Sequence, residues 1–404
     1  MGMSVSRPSQ WLYLTGSCHE VGHTWNPSCI YCSCEILLFV FLGAIKIYLP
    51  LYLLSNVRRL GDLRWVLLSL LPNVLRSAVF LSINGGGFVA FLCAVRRLFG
   101  RFYFYSSAFL PAFLASLCAI MVERKSRRAL LAGYVSCLSI EIVHSVLKSK
   151  GLIKSLPFGE VLIFSLASAV LLHRQGTNRS SSQDGVGSLL SGLFRPPVEC
   201  PINICNPIVT NLVWGGAWGF FCGYLVQSLL SLLSYWKKIK NKTASIKDWL
   251  GNKRSVKFGL FLASFVTWFK LSNWLMILFA VPRNLRMIIS GLIAGLSMIF
   301  VRSSALSLYA GWKAMEIVYF MAVKKGYVKS WYYGDALLYA FSTAVVFHSV
   351  FFEGHHVREA YWKFMIDVTR SRLLHIQFPT VDHFGTNSSI RPNQFIQKLS
   401  SSSD

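Results

Sequence analysis

Glu141-Ile-Val-His-Ser-Val-Leu-Lys-Ser-Lys-Gly-Leu-Ile-Lys-Ser-Leu-Pro-Phe-Gly-Glu160 runs on to His173, and 175 residues later Glu316-Ile-Val-Tyr-Phe-Met-Ala-Val-Lys-Lys-Gly-Tyr-Val-Lys-Ser-Trp-Tyr-Tyr-Gly-Asp335 runs on to His348. The two stretches align without a gap over 33 positions, of which 12 are identical. Chance at this composition gives about two or three. The identities include the Glu-Ile-Val triplets, Lys150/Lys325, Gly151/Gly326, Lys154/Lys329, Gly159/Gly334 and His173/His348, and Glu160 faces Asp335. Leu131/Leu306 and Tyr134/Tyr309 carry the register towards the N-terminus. The chain therefore reads as two homologous halves, and repeated halves in a membrane protein commonly place a site between them.

Composition says what kind of halves these are. Of the 404 residues, 54% are hydrophobic and 14% charged, and the mean hydropathy is +0.49. That excludes a soluble secreted domain and a disordered chain. The 41 Lys and Arg against 16 Asp and Glu leave 41 − 16 = +25, a surplus suited to loops beside anionic headgroups. Nucleic-acid binding is not expected, because the cations fall in short clusters between apolar runs.

About 20 helical residues cross a bilayer core. Runs near that length lie at about 36–54, 105–122, 129–147, 158–173, 208–234, 256–280, 284–301, 303–323 and 335–352. Between 65 and 95, Pro72, Arg76 and Gly85-Gly86-Gly87 interrupt the apolar run, leaving a broken helix, a hairpin, or an interfacial helix followed by a span. The fold class expected is all-α, a polytopic helical membrane protein of two homologous halves with a small N-terminal Cys/His-rich cap. Its segments are the cap at 1–35, a first membrane half at 36–173, a polar linker at 174–207, a second membrane half at 208–352 and a C-terminal tail at 353–404. Successive loops are all basic, so charge does not orient the chain. The first 35 residues contain no apolar core of signal length, and no cleaved signal is expected.

His19-Glu20-Val21-Gly22-His23 spells the HExxH pattern of zinc metalloproteases, two imidazoles on one helical face with a general-base Glu. Gly16, Ser17 and Pro27 leave that helix little room. The same segment offers Cys18, His19, His23, Cys29, Cys32 and Cys34, ligands enough for a structural Zn²⁺ or simply reduced thiols in an interfacial cap. Cys93, Cys118, Cys137, Cys205 and Cys222 lie in or beside apolar runs and read as packing residues. No P-loop, GxGxxG or GxSxG occurs.

Ionisable residues within apolar runs mark function more often than chance; here they are Lys46, Glu141, His144, Lys270, Arg302, Lys313, Glu316 and His348. Glu141 and Glu316, with His173 and His348 beside them, fit a paired intramembrane polar site between the halves. They fit equally two structural ion pairs, to Arg127 and Arg302. Gly215, Gly219 and Gly223 form a GxxxGxxxG stripe, repeated in Gly291 and Gly295, and small residues so spaced let helices approach closely in lipid.

The segments Cys18-His-Glu-Val-Gly-His-Thr-Trp-Asn-Pro-Ser-Cys29, Lys46-Ile-Tyr-Leu-Pro-Leu-Tyr-Leu53, Val122-Glu-Arg-Lys-Ser-Arg-Arg128 and Tyr361-Trp-Lys-Phe364 together resemble the transmembrane protein 135 family. The resemblance runs from about Cys18 to Thr386. It implies a multi-pass, non-enzymatic protein of mitochondrial and peroxisomal membranes. Such a protein regulates the balance of mitochondrial fission and fusion, fat storage and peroxisomal lipid handling, and its later spans are similar to the superfamily of mitochondrial import translocases. Membrane lipids, the fission machinery and a second copy of the chain are the partners it suggests. Some relatives carry Tyr in place of His19, a change that abolishes the protease ligand pair in them. Relatives do not generally keep Cys32 and Cys34, so Cys18, His23 and Cys29 stand as the better metal set. The resemblance names no cofactor and leaves structural zinc open. A transporter or pore for lipid or acyl substrates is the alternative function, and a membrane zinc protease a more remote one.

Overall fold

A computed structural model of the chain describes residues 13–55, 64, 66–154, 156–177, 205–240, 249, 251–329 and 331–400. Most of the linker expected at 174–207 lies outside these. The helices in chain order are α1 (Cys18–Val21), α2 (Cys29–Ser55), α3 (Leu71–Phe99), α4 (Phe109–Val122), α5 (Lys125–Ser149), α6 (Gly159–Thr177) and α7 (Cys205–Lys240). They continue as α8 (Lys253–Leu278), α9 (Arg283–Gly295), α10 (Ser304–Lys324), α11 (Gly334–Phe352), α12 (Glu359–Val368), α13 (Phe378–Val381) and α14 (Ile390–Ser400). Among the described residues the fold is built of helices and one short antiparallel pair, Tyr13–Leu14 (β1) with Phe102–Tyr103 (β2). Among the described residues, six helices are long and apolar enough to cross a membrane: Cys29–Leu53, Leu68–Phe99, Lys125–Ser149, Lys253–Leu278, Arg283–Phe300 and Gly334–Phe352. The run expected at 105–122 forms α4, whose 14 residues span only about 21 Å at 1.5 Å per residue.

From residue 66 onward the interrupted stretch is helical without a break. A π-helical turn at Val66–Leu70 leads into α3, and Pro72 sits directly after that turn, at the junction of the two hydrogen-bonding patterns. The glycine triad is a groove, not a hinge. A Cβ on Gly86 would lie 2.6 Å from Leu37 Cβ, and one on Gly85 2.8 Å from Val40 Cγ2; the absent side chains let α2 lie against α3.

The chain divides into two compact units, Met1–Lys154 with Trp331–Asp404, and Ser155–Ser330. In the first, α2 packs on α3, α3 on α4, and α11 on both α4 and α5. In the second, α7 packs on α8, α8 on α9, and α6 on both α9 and α10. A shift of 175 residues carries α2 to α7, α3 to α8, α4 to α9, α5 to α10 and α6 to α11. The neighbour pattern thus recurs with the last helix of each sequence segment exchanged: α6, placed by sequence in 36–173, packs in the second unit, and α11, placed in 208–352, packs in the first. The compact units therefore do not coincide with those sequence boundaries.

Residues 353–400 do not trail away as a tail. Trp362, Met365 and Ile366 of α12 are buried in one cluster with Leu138, Ile142, Val346 and Val350, and a Cβ on Gly43 of α2 would lie 3.3 Å from Val368 Cα. The second unit has its own core, Phe164, Phe261, Phe265 and Phe269 with Met287 and Met298.

Candidate metal centre

The N-terminal segment is organised by local hydrogen bonds. Ser17 and Glu20 form a capping box that starts α1, with the Ser17 N–H donating to Glu20 Oε2 at 2.7 Å. The helix stops after Val21, and the chain turns until the Asn26 side chain accepts the Ser28 N–H at 2.8 Å and α2 begins at Cys29. Cys29, Cys32 and Cys34 accordingly lie on the first long helix and not in a cap.

This route brings Cys18, His23, Cys29 and Cys93 together, every ligand atom within 4.8 Å of the others. Cys93 arrives from α3, beyond both the tri-glycine groove and the segment that holds the other three. His23 and Cys93 are buried, Cys18 and Cys29 half-buried. His23 Nδ1–H donates to the Asn26 carbonyl at 2.8 Å, which fixes the tautomer and turns Nε2 to the thiols, 3.4 Å from Cys93 Sγ. A backbone carbonyl orienting the ligating imidazole in this way is the usual support of a metal-bound histidine.

The facing Cys93 thiol holds the Cys18 thiol down from 9.0 to about 4, against the opposing effect of burial, and His23 adds to the lowering. His23 is raised from 6.5 to about 9, first by its hydrogen bond with Cys18. Both shifts describe a Cys18 thiolate paired with a protonated His23, and a bound metal would take the place of the proton on Nε2. Three thiols and one imidazole are a closed structural zinc set. Bonds of about 2.3 Å to sulfur and 2.0 Å to nitrogen would place tetrahedral ligand atoms about 3.5–3.8 Å apart, so Zn²⁺ fits after small side-chain adjustments.

A second layer fastens the loop to the C-terminal region. Glu35 accepts the Trp25 indole N–H at 2.7 Å and the Arg372 guanidinium at 2.7 Å. The Thr24 hydroxyl donates to the His375 carbonyl at 2.7 Å, and the Gln377 N–H to the Val21 carbonyl at 3.1 Å. Arg96 on α3 donates twice to the Gly16 carbonyl, at 3.0 and 2.7 Å.

The other residues singled out by sequence go elsewhere. The HExxH geometry does not form: α1 ends before His23, Glu20 is spent on its own cap, and His19 Nδ1 bonds the His23 carbonyl at 3.1 Å. Cys32 is buried, its thiol donating to the Asn26 carbonyl at 3.4 Å, and Cys34 is exposed. Glu141 pairs with Arg358, whose Nε donates to it at 2.7 Å, while Glu316 pairs with Lys313 at 2.7 Å. The expected partners are engaged otherwise, Arg127 with Glu123 at 3.5 Å and Arg302 over the Phe158 ring. His348 is packed among Phe104, Tyr105 and Phe352, and His173 lies on α6 in the second unit.

Among the glycines, a Cβ on Gly219 would lie 3.1 Å from the Leu262 carbonyl and one on Gly223 2.9 Å from that of Phe258, so α7 and α8 touch backbone to backbone there. Gly291 faces Ala169 Cα at 2.7 Å in the same sense, and Gly295 faces Ser165. Gly215 differs: it makes room for the Lys270 side chain, whose Nζ donates to the Asn211 carbonyl at 3.2 Å.

Cys93 is the ligand that sequence reading assigned to packing. Its one sequence signal is the spacing of seven from Gly86, two helical turns, which puts it on the face of α3 that meets α2.

Residues 15–147 match the family model described as the N-terminal cysteine-rich region of Transmembrane protein 135, a stretch that contains all four ligands. No solved structure matches the chain.

Proposed function

We propose, from the match of residues 15–147 to the N-terminal cysteine-rich region of Transmembrane protein 135 and from the motifs that resemble that family, that the chain is a non-enzymatic, multi-pass protein of mitochondrial and peroxisomal membranes. Holding a lipid chain within its first unit, it would adjust lipid balance and, through it, mitochondrial fission and fusion. The organelles, the fission machinery as partner and the lipid role rest on the family resemblance. The observation that carries lipid binding is a partly open cavity of about 110 Å³ lined mainly by α2, α3, α5, α11 and α12.

Its wall is apolar along most of its length, formed by Val40, Leu81, Phe88, Phe347, Tyr361 and Met365 among others. Asn84, Tyr339 and Thr343 supply polar groups at one part of the wall, and Trp25 and Arg372 at another. The Asn84 amide donates to Tyr339 Oη at 3.2 Å and its oxygen accepts from Ser116 at 2.9 Å, so this polar corner is internally satisfied and demands no charged ligand. The volume falls below the roughly 150 Å³ void that takes up a benzene ring. It suits a segment of an acyl chain whose remainder stays in the bilayer.

In this reading Zn²⁺ held by Cys18, His23, Cys29 and Cys93 supplies structure. It ties the loop that carries Gly22 and Trp25 of the cavity wall to Leu92 beside Cys93. The transport alternative has less support, since Glu141 and Glu316 each carry a local ionic partner.

The test is photolabelling of the protein in vesicles with a diazirine-bearing fatty acid. Label is expected on α12 and on Leu81 to Phe88, and Val89→Trp, which fills the cavity, should remove most of it and fail to restore organelle shape in cells lacking the protein. Undiminished labelling of α12 in the filled variant defeats the proposal.

A further inference from the structure

We propose that Glu353, His355 and His356, at the end of α11, form a second divalent-metal site of nitrogen and oxygen ligands, selective for Zn²⁺ or a similar first-row cation and separate from the thiol-rich centre. The Glu-Gly-His-His sequence folds as one tight turn: the Glu353 N–H caps α11 on the Ser349 carbonyl at 2.8 Å, and the His356 N–H returns to the Glu353 carbonyl at 2.9 Å. Three ligand-bearing side chains within four residues thereby face one another.

Glu353 Oε2 lies 3.4 Å from His356 Nε2 and 3.9 Å from His355 Nε2. A tetrahedral ion with bonds of about 2.0–2.1 Å to nitrogen and oxygen holds its ligand atoms about 3.3 Å apart; the His356–Glu353 pair is at that separation, and all three ligand atoms lie within 4.8 Å of one another. His356 Nδ1 and the Ser145 hydroxyl on α5 are hydrogen-bonded at 2.8 Å, which orients the ring so that Nε2 faces the Glu353 carboxylate. That Nε2 is buried and makes no hydrogen bond, which is costly for a polar atom unless something coordinates it. The last carbonyls of α11 add the negative end of a helix dipole, a favourable place for a cation. Glu353 Oε1 faces Lys150 at 3.6 Å, a lysine exposed enough to swing into solvent when a metal takes the carboxylate. Three protein ligands leave a fourth position for water.

The cluster differs in chemistry from the thiol centre, and that makes the two separable. Full-length protein purified in detergent and equilibrated with Zn²⁺ is expected to retain two equivalents. Cys18→Ser/Cys29→Ser should keep one, and adding Glu353→Gln/His356→Gln should remove it. Cobalt in the Cys18→Ser/Cys29→Ser protein should give ligand-field bands without thiolate charge transfer. Ser145→Ala, which removes only the orienting hydroxyl, should weaken the second site about tenfold or more. If the cysteine variant does not fold, Glu353→Gln/His356→Gln in the wild-type background decides alone: losing one equivalent supports the site. Retention of both, or a wild type that never binds more than the thiol-held ion, overturns it.

Discussion

Gly85, Gly86 and Gly87 are consecutive, yet alanine at each should give a different result. At Gly86 a Cβ would stand 2.6 Å from Leu37 Cβ and 2.8 Å from Leu37 Cα, where carbon atoms normally rest about 3.5–4.0 Å apart. Relief requires α2 and α3 to part by about 1 Å, because the atoms in the way are backbone and Cβ and cannot rotate aside. Overpacking of this kind costs about 1–3 kcal/mol, while replacing Gly by Ala within a helix returns about 1 kcal/mol. The expected net loss for Gly86→Ala is up to about 2 kcal/mol. At Gly87 the nearest atom is Ala115 Cβ at 3.4 Å, an acceptable contact, so the propensity gain should stand almost alone. Gly85 meets one methyl, Val40 Cγ2, at 2.8 Å, and valine is stiff about χ1; it should fall between. Thermal unfolding in detergent reads the series, with about 2–4 °C per kcal/mol for a unit of this size. Gly86→Ala should melt several degrees below Gly87→Ala. Equal melting of the three variants, or loss at Gly87 as large as at Gly86, would refute the close approach of α2 and α3 at the triad.

Other consequences follow from the same contacts. Chelation of zinc, or Cys93→Ser, should raise hydrogen exchange in residues 372–381, which are tied to the loop at Val21 and Thr24; unchanged protection there would mean that the loop needs no metal to hold them. His348→Phe should be neutral or raise the melting temperature, because His348 Nδ1 is buried without a hydrogen-bond partner among rings that another ring would suit; a fall of several degrees would expose a polar role. Glu316→Gln should cost less than about 0.5 kcal/mol, the worth of a partly exposed i,i+3 pair. Glu141→Gln should cost more, since it leaves Arg358 without a carboxylate, and equal melting of the two variants would argue against that difference.

Helical character and the apolar spans could be read from residue types alone, because apolar runs are local; residue types also placed Cys18, His23 and Cys29 among six candidate ligands, a set that only the family resemblance narrowed to these three. What could not be read depends on partners distant in sequence. The glycine triad looks like a break until Leu37 and Val40 are known to lie against it. Cys93 looks like packing until α3 is known to run past Cys18 and Cys29. Arg358 is 217 residues from Glu141, and nothing near Glu141 announces it, whereas Arg127 on the same helix is the obvious and incorrect guess. The Glu353 turn escaped notice for a different reason: it lies in a stretch whose polarity resembles a tail, and only the burial of α12 beneath it shows that the segment is structured.

The exchange of α6 and α11 was hidden by the very repeat that revealed the duplication. Sequence similarity assigns Gly159–His173 to the first segment and Gly334–His348 to the second, and it says nothing about which neighbours each helix chooses. The two helices are equivalent by register, so the repeat alone does not distinguish their neighbours. An exchanged arrangement makes each unit incomplete without chain drawn from both sequence segments. The two segments, expressed separately, should therefore neither fold alone nor retain zinc, while co-expression should restore both. A first segment, residues 1–173, that is stable and zinc-loaded by itself would show that α11 is not needed to close the unit that carries Cys18, His23, Cys29 and Cys93.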